Sequence, residues 1–369
     1  MEAIEFNATV LNILEKDGKF FAILDQTLFY PSGVGGQLGD SGNIGDAKVL
    51  KVSEEGEMIL HEIDRPLKTN TLYKCTIDIE RRLEIAREHT AQHILSQSFK
   101  TLFNIETVSF HMDENYSTID LETNNISNEN LLKAELLANR IVLEDRDVKT
   151  YFVDEKEIER LNLRKKIDVK PPIRIVEVEG FDISMCGGTH VNKTGEIGSI
   201  KILKKEKAKR DYLRVYFASG IRVIKEFNKD LEILQHISST LTTGFVELED
   251  KITKMQKENK LLQSRIYDLE KFYKNTLLER LKEKNIIFEI VKGISRATFE
   301  SIAISLSEEG KSGAIAFQND DNSVIALLGR RDVPIEGKVY SIGGVSFFPV
   351  EKEKFENAIE ELKKYFKEG

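Results

Sequence analysis

The chain has 369 residues, 40% of them hydrophobic and 31% charged, with a net charge of −8. That length exceeds one ordinary core and predicts two or three domains; no run of eighteen apolar residues occurs, which excludes a helical membrane span. Only two cysteines argue against a disulfide framework, and Met1-Glu-Ala-Ile-Glu5 has neither the basic nor the apolar part of a secretory signal, so a reducing cytoplasmic setting is expected.

Residues 1–79 read as a small β-barrel. Alternating segments at 4–10, 20–24 and 47–52 are separated by Gly, Asn and Asp turns. Cys75 lies in another such run and is expected to be an inert buried strand residue. In the stretch from Leu24 to Gly42, four glycines fall within seven residues: Gly33, Gly35, Gly36 and Gly39. They permit positive φ and a close backbone approach to a ligand. Thr27 and Gln37 bracket that stretch with a hydroxyl and an amide able to read a small polar group. A plain barrel connection would look the same.

Residues 80–219 read as an α+β domain. An amphipathic helix is predicted over 80–103, with strands at 107–111 and 117–122. A helix capped by Ser127 or Asn128 runs to about residue 144. Further strands are expected at 148–153, 173–179, 197–203 and 212–218. From 220 to 284 a heptad pattern takes over, with Phe227, Leu234, Leu241, Leu248, Met255, Leu262 and Leu269 at one position. Gly244 interrupts it, leaving a helical hairpin, the favoured reading, or one long coiled-coil helix. Residues 285–369 alternate strand-like and helical runs and predict a small α/β domain. The whole is an α+β multidomain chain.

The chemistry concentrates in two motifs. His89-Thr-Ala-Gln-His93 on a helix puts two imidazoles on one face, one turn apart. Cys186-Gly-Gly-Thr-His190 adds a thiolate and a third imidazole. Together His89, His93, Cys186 and His190 predict a Zn2+ site. Four protein ligands would close a structural tetrahedron, whereas catalysis needs an open position; the residues leave both readings open. The HTAQH motif lacks the glutamate of a metalloprotease. Glu88, next to His89, is expected to face solvent. A basic stretch at 201–214, with Lys204, Lys205, Lys209 and Arg210, suits contact with a phosphate backbone, as do Arg81, Arg82 and Arg87 ahead of the first motif.

The Thr27–Gly42 loop, Arg87–Leu95, Phe110-His-Met112 with Ile119-Asp-Leu121, and Phe181–Val191 followed by Thr194–Gly198 resemble the editing domain of alanyl-tRNA synthetases and its free-standing relatives, the AlaX proteins. Order and spacing match through Gly220, and the later segments resemble the synthetases' C-terminal region, so the whole resembles the long AlaX form. The resemblance implies zinc-dependent hydrolysis of the ester joining a wrong amino acid, serine first and glycine second, to tRNA for alanine. A pocket shaped for alanine cannot strongly reject either. It also implies that Thr27 recognises the serine hydroxyl and Gln37 shapes the pocket, joining His89, His93 and Cys186 as the catalytic set. The ion would sit near the 3′-terminal adenosine, with the last domain on the tRNA body. The exposed heptad seam suits a homodimer. No residues ahead of the barrel could hold an aminoacylation domain, so the chain is not expected to charge tRNA. The loop Gly33-Val-Gly-Gly-Gln37 is one residue longer than the family's usual glycine run. Ile342-Gly-Gly-Val345 stands where a longer glycine-rich segment is usual. The competing readings are a threonyl-type editing hydrolase and a non-catalytic tRNA-binding module with structural zinc.

Overall fold

A computed structural model describes residues 4–164, 172–319, 323–329 and 339–368. The chain is a multidomain α+β protein with two compact units, Met1–Gln235 and His236–Gly369.

In the first unit, β1 (Ile4–Lys16), β2 (Lys19–Leu24), β3 (Gly42–Ile44), β4 (Ala47–Glu55), β5 (Met58–Ile63) and β6 (Thr71–Ile77) close into a barrel in the order β1-β2-β5-β4-β3-β6. The β1–β2 hairpin pairs Lys16 with Lys19 across Asp17 and Gly18, both at positive φ. An Asp-Gly pair there matches the twist of the two strands. Inward residues (Ala8, Val10, Ala22, Ile44, Val49, Cys75) form the barrel core. Cys75 is fully buried, and burial pushes its thiol up to about 11, so it is inert at neutral pH.

Helix α1 (Ile79–Phe103) starts at Asp78, whose carboxylate accepts the Arg81 N–H at 3.2 Å. It is not the one-sided amphipathic helix that its sequence predicts. Between Ile85 and Phe99 every residue except Arg87 and Gln97 is buried, polar ones included. The reason is its position. It packs on α2 (Asn128–Leu143), on β8 (Ser117–Leu121) and β13 (Leu213–Ser219), and on β11 (Asp182–Met185). The sheet beneath it runs β12-β13-β8-β7, with β7 (Thr107–Met112) and β12 (Ile200–Lys207) at its edges. A second sheet runs β11-β10-β9, built from β9 (Val148–Val153) and β10 (Ile173–Val178). A short helix, α3 (Glu155–Ile158), follows β9. The strand predicted over 197–203 is divided: 194–197 form a 3-10 turn, and β12 starts three residues later.

The heptad segment is two helices, α4 (Ile221–Leu241) and α5 (Leu248–Leu281), and Thr242 takes φ +50° in the break before Gly244. In the second unit the C-terminal end of α5 buries Leu277 and Leu281 against Phe299, Phe317 and Phe347. Its sheet has β14 (Ile286–Val291) parallel to β15 (Ser312–Gln318), with α6 (Arg296–Glu308) between them in sequence. β16 (Ser323–Leu328), β17 (Tyr340–Ile342) and β18 (Val345–Val350) extend it antiparallel. Helix α7 (Phe355–Glu368) packs Phe355, Ile359, Leu362 and Phe366 against Ala314, Ile325 and Leu327.

Candidate metal centre

Four side chains far apart in sequence converge in the first unit. His89 and His93 project from α1, and Cys186 and His190 lie on the turn that follows β11. Their ligand-capable atoms all lie within 4.8 Å of one another. Cys186 Sγ is 3.4 Å from His89 Nε2 and 3.3 Å from His190 Nε2. Donors about 2.0–2.3 Å from a tetrahedral zinc stand about 3.5 Å from each other, so this spacing fits such an ion.

The histidines are held from behind. His89 Nδ1 donates to Gln37 Oε1 at 2.7 Å, His93 Nδ1 to Asp182 Oδ2 at 3.0 Å, and His190 Nδ1 to Thr90 Oγ1 at 3.1 Å. Thr90 passes its own proton to Ala86 O at 2.8 Å and so acts as an acceptor toward His190. Each imidazole therefore carries its proton on Nδ1 and turns Nε2 inward, which is how metal-binding histidines are oriented. Asp182 is itself held by Ser184 Oγ at 2.9 Å and by Arg164 Nη1 at 3.4 Å.

Glycine is required where the two motifs meet. A Cβ at Gly188 would collide with the His89 ring and with Gln37 Oε1, and one at Gly36 would meet Phe110 O at 2.8 Å. Arg174 Nη1 clamps the cysteine turn by donating to Cys186 O at 2.7 Å and to Gly188 O at 2.8 Å. Phe110 stacks on His89 with centroids 5.2 Å apart.

Electrostatics match the donor set. Burial alone would push the Cys186 thiol up, but His89, His190 and His93 around it hold it well below its ordinary value, favouring a thiolate. Burial lowers His89. Burial and the neighbouring His89 take His190 down to about 3, so it is a neutral ligand. Burial also opposes charge on His93, yet the Asp182 carboxylate raises it; Asp182 is lowered in turn, its burial outweighed by Arg164 and His93.

Gln37 lies with this group: its Oε1 also accepts the Thr189 N–H at 2.9 Å, tying the barrel loop to both motifs. Thr27 has other partners. Its hydroxyl is 2.9 Å from His61 Nε2 and accepts the Phe29 N–H at 3.1 Å, and His61 Nδ1 donates to Ala22 O at 3.0 Å. His61 is fully buried, and burial lowers its pKa, keeping it neutral.

Glu88 does not face solvent. It is fully buried on α1, and its Oε1 accepts the Ser219 N–H at 2.5 Å. The arginines ahead of the first motif are engaged within the fold. Arg81 pairs with Glu114 at 2.7 Å, Arg82 with Asp40, and Arg87 with Glu196 O at 2.8 Å. On the β12–β13 hairpin, Lys204 stands 4.1 Å from the Tyr216 ring centroid and Lys205 donates to Ile126 O. Lys209 opens the 3-10 turn at Lys209–Asp211; the side chain of Arg210 lies outside the described residues. Sequence reasoning did not single out Thr90, Arg174 or Asp182. Asp182 carried a signal, a carboxylate in a strand four residues before the cysteine.

The family described as the threonyl and alanyl tRNA synthetase second additional domain matches residues 173–216. The alanine–tRNA ligase of Thermofilum pendens is 35% identical over 290 residues, 75% of this chain and 31% of the ligase. That of Pyrococcus furiosus is 30% identical over 352 residues, 88% of this chain and 37% of the ligase. The chain thus spans about a third of the length of these ligases. The alanyl-tRNA editing protein Aarsd1 of Rattus norvegicus is 31% identical over 278 residues, covering 71% of this chain and 67% of the rat protein. At 31% identity across 67% of the rat protein, this chain belongs to the alanyl-tRNA editing protein family.

Proposed function

We propose that the chain hydrolyses the ester between a wrong amino acid and tRNA for alanine, serine first and glycine second, with Zn2+ held by His89, His93, Cys186 and His190. One observation carries this reading: three imidazoles, each turned by an outer acceptor, share a centre with the sulfur of Cys186. When bound there, zinc supplies Lewis acidity toward an ester carbonyl and lowers the pKa of water. Gln37 and Asp182 orient the imidazoles, and the Thr90 hydroxyl fixes the tautomer of His190. Arg174 holds the turn on which Cys186 and His190 sit. Thr27, oriented by His61, reads the hydroxyl of a seryl group.

The same reading divides the chain into barrel (1–79), editing domain (80–219), helical segment (220–284) and C-terminal domain (285–369). It assigns Lys204, Lys205, Lys209 and Arg210 to the tRNA backbone, the last domain to the tRNA body, and the α5 heptad seam to a second copy in a cytoplasmic homodimer. Among the described residues no helix is long and apolar enough to cross a membrane.

The deciding experiment incubates the zinc-loaded protein with serine-, glycine- and alanine-charged tRNA for alanine. Release of serine, lost on chelation and regained with zinc, is expected, with alanine spared. No release from any of the three would leave a non-catalytic tRNA-binding module.

A further inference from the structure

Residues 28–40 lie between β2 and β3, and their own sequence does not fix their shape. Gly33, Gly35 and Gly36 take positive φ, and the helical turn among them is only Val34–Gly36. Glycine has the weakest backbone preference of any residue. Yet Gln37, in the same stretch, places its Oε1 2.7 Å from His89 Nδ1 and 2.9 Å from Thr189 N. The Ser32 N–H reaches Val52 O of β4 at 2.9 Å, but that bond ties the loop to the barrel and not to α1.

Arg82, near the start of α1, makes the missing connection. Its Nε donates to Asp40 Oδ1 at 2.8 Å, and its Nη2 donates to Asp40 Oδ2 and, at 2.8 Å, to Leu28 O. One guanidinium thus joins both ends of the segment. Asp40 is 2% exposed, and its Oδ2 also accepts the Tyr30 N–H at 2.5 Å. A buried carboxylate is unstable without a partner, so neither end can drift from Arg82 without stranding that charge. Arg81 adds a second grip, its Nε donating to Gly39 O at 3.0 Å.

The same helix carries the clamp and the ligand. Arg82 and His89 stand roughly two turns apart on one face of α1, about 10 Å along its axis. The helix is therefore a rigid ruler between the point where the loop is held and the point where Gln37 meets the imidazole. The other end of the clamp, Leu28 O, belongs to the residue after Thr27.

We infer that Arg82 is a positioning residue of the metal centre: by fastening Leu28 O and the Asp40 carboxylate to α1, it sets Gln37 behind His89. It acts through Gln37 and touches neither the ligands nor the substrate. The planar fork is what the task requires, since only a guanidinium meets a carboxylate at two points and a carbonyl beside it. The inference rests on the hydrolase reading above only for its effect on serine release.

The test measures zinc affinity of the full chain by competition with a chelator, in the unaltered protein, Arg82→Lys, Gln37→Ala and the double variant. Lysine keeps the charge beside Asp40 but lacks the fork that reaches Leu28 O at the same time. Arg82→Lys should weaken zinc binding by about tenfold, as loss of an outer partner does. The double variant should bind zinc no more weakly than Gln37→Ala alone, because both changes break one link. Losses that multiply would overturn the inference, as would a folded Arg82→Lys protein with unaltered zinc affinity. Asp40→Asn combined with Arg82→Gln, which strands no buried charge, takes the place of the lysine variant in the same cycle if that one fails to fold. At saturating zinc, serine release by Arg82→Lys should slow by about tenfold or more with KM for tRNA unchanged. A rise in KM with kcat unchanged would overturn the positioning role by putting Arg82 on the tRNA instead. A protein that releases no serine in any form, yet shows the non-additive zinc cycle, would support the clamp and dismiss the hydrolase.

Discussion

Helix α1 and helix α5 invert each other. α1 buries Glu88, His89, Thr90, Gln92 and His93 through its middle, whereas α5 leaves Met255, Leu262, Ile266 and Leu269 between 46% and 67% exposed. Buried polar groups and exposed apolar stripes are the two departures from ordinary burial that carry information. In α1 the departure is balanced by partners inside the fold: the imidazoles meet Gln37, Asp182 and Thr90, and Glu88 meets the Ser219 backbone. Along most of α5 the exposed stripe has no such balance within the helix itself, where only Leu248, Leu277 and Leu281 are buried. A helix of the first kind is set by tertiary contacts and chemistry. One of the second kind is set by its own repeat.

The sharpest way to break the comparison is at the centre that α1 serves. Cys186→Ala removes the sulfur on which the imidazoles converge, and serine release should fall by more than about a hundredfold, beyond what losing an outer partner costs. Metal content measured on the same preparation should fall with it, and tRNA affinity should stay near that of the unaltered chain. Full activity in a metal-free variant would remove zinc from the mechanism. Next in size, Asp182→Asn keeps the shape but withdraws the charge behind His93. Metal affinity, read by competition with a chelator, should weaken by about 10–100-fold. An unchanged affinity would make Asp182 a structural residue only.

His61 offers a smaller effect with a definite sign. Burial holds its pKa below the ordinary 6.5, so the unfolded chain takes up a proton that the fold refuses. Stability is therefore lost as pH falls below about 6.5. His61→Phe keeps an aromatic ring against Phe29, now 5.4 Å away and edge-on, but cannot titrate. It should lower stability by about 1–3 kcal/mol at pH 7.5, since Thr27 loses its acceptor. The fall in urea midpoint between pH 6.5 and 5 should also become shallower. An equally steep fall would place the acid sensitivity elsewhere.

These residues also mark where the sequence was legible. The spacing of His89, His93, Cys186 and His190 picked out four side chains that converge within 4.8 Å of one another, because helix and turn geometry deliver donors of particular types at recognisable intervals. The outer partners come from distant elements and share no period with the ligands, so Asp182 and Thr90 left only a local trace. Thr27 and Gln37 entered as a pair from one loop, yet their recorded bonds point to different neighbours, His61 for one and His89 for the other. A loop's sequence lists its polar groups without saying which way each one turns. The breadth of burial around α1 was hidden for a related reason: its polar residues dilute the apolar pattern from which burial is read. In α5 the heptad was legible because it is local, but a repeat does not say what covers it.

The smallest expected effect on the single chain is at that repeat. Leu262 is 56% exposed, so Leu262→Asp should change stability by no more than about 0.5 kcal/mol, the usual range for surface positions. Leu95, fully buried on α1, should cost about 2–5 kcal/mol when cut to alanine. If α5 docks on a second copy, the aspartate places a charge in that seam, and sedimentation should register a shift toward the monomer with little change in unfolding. A variant that unfolds readily without changing its state of association would mean that Leu262 is covered within its own chain, and the contrast between the two helices would disappear.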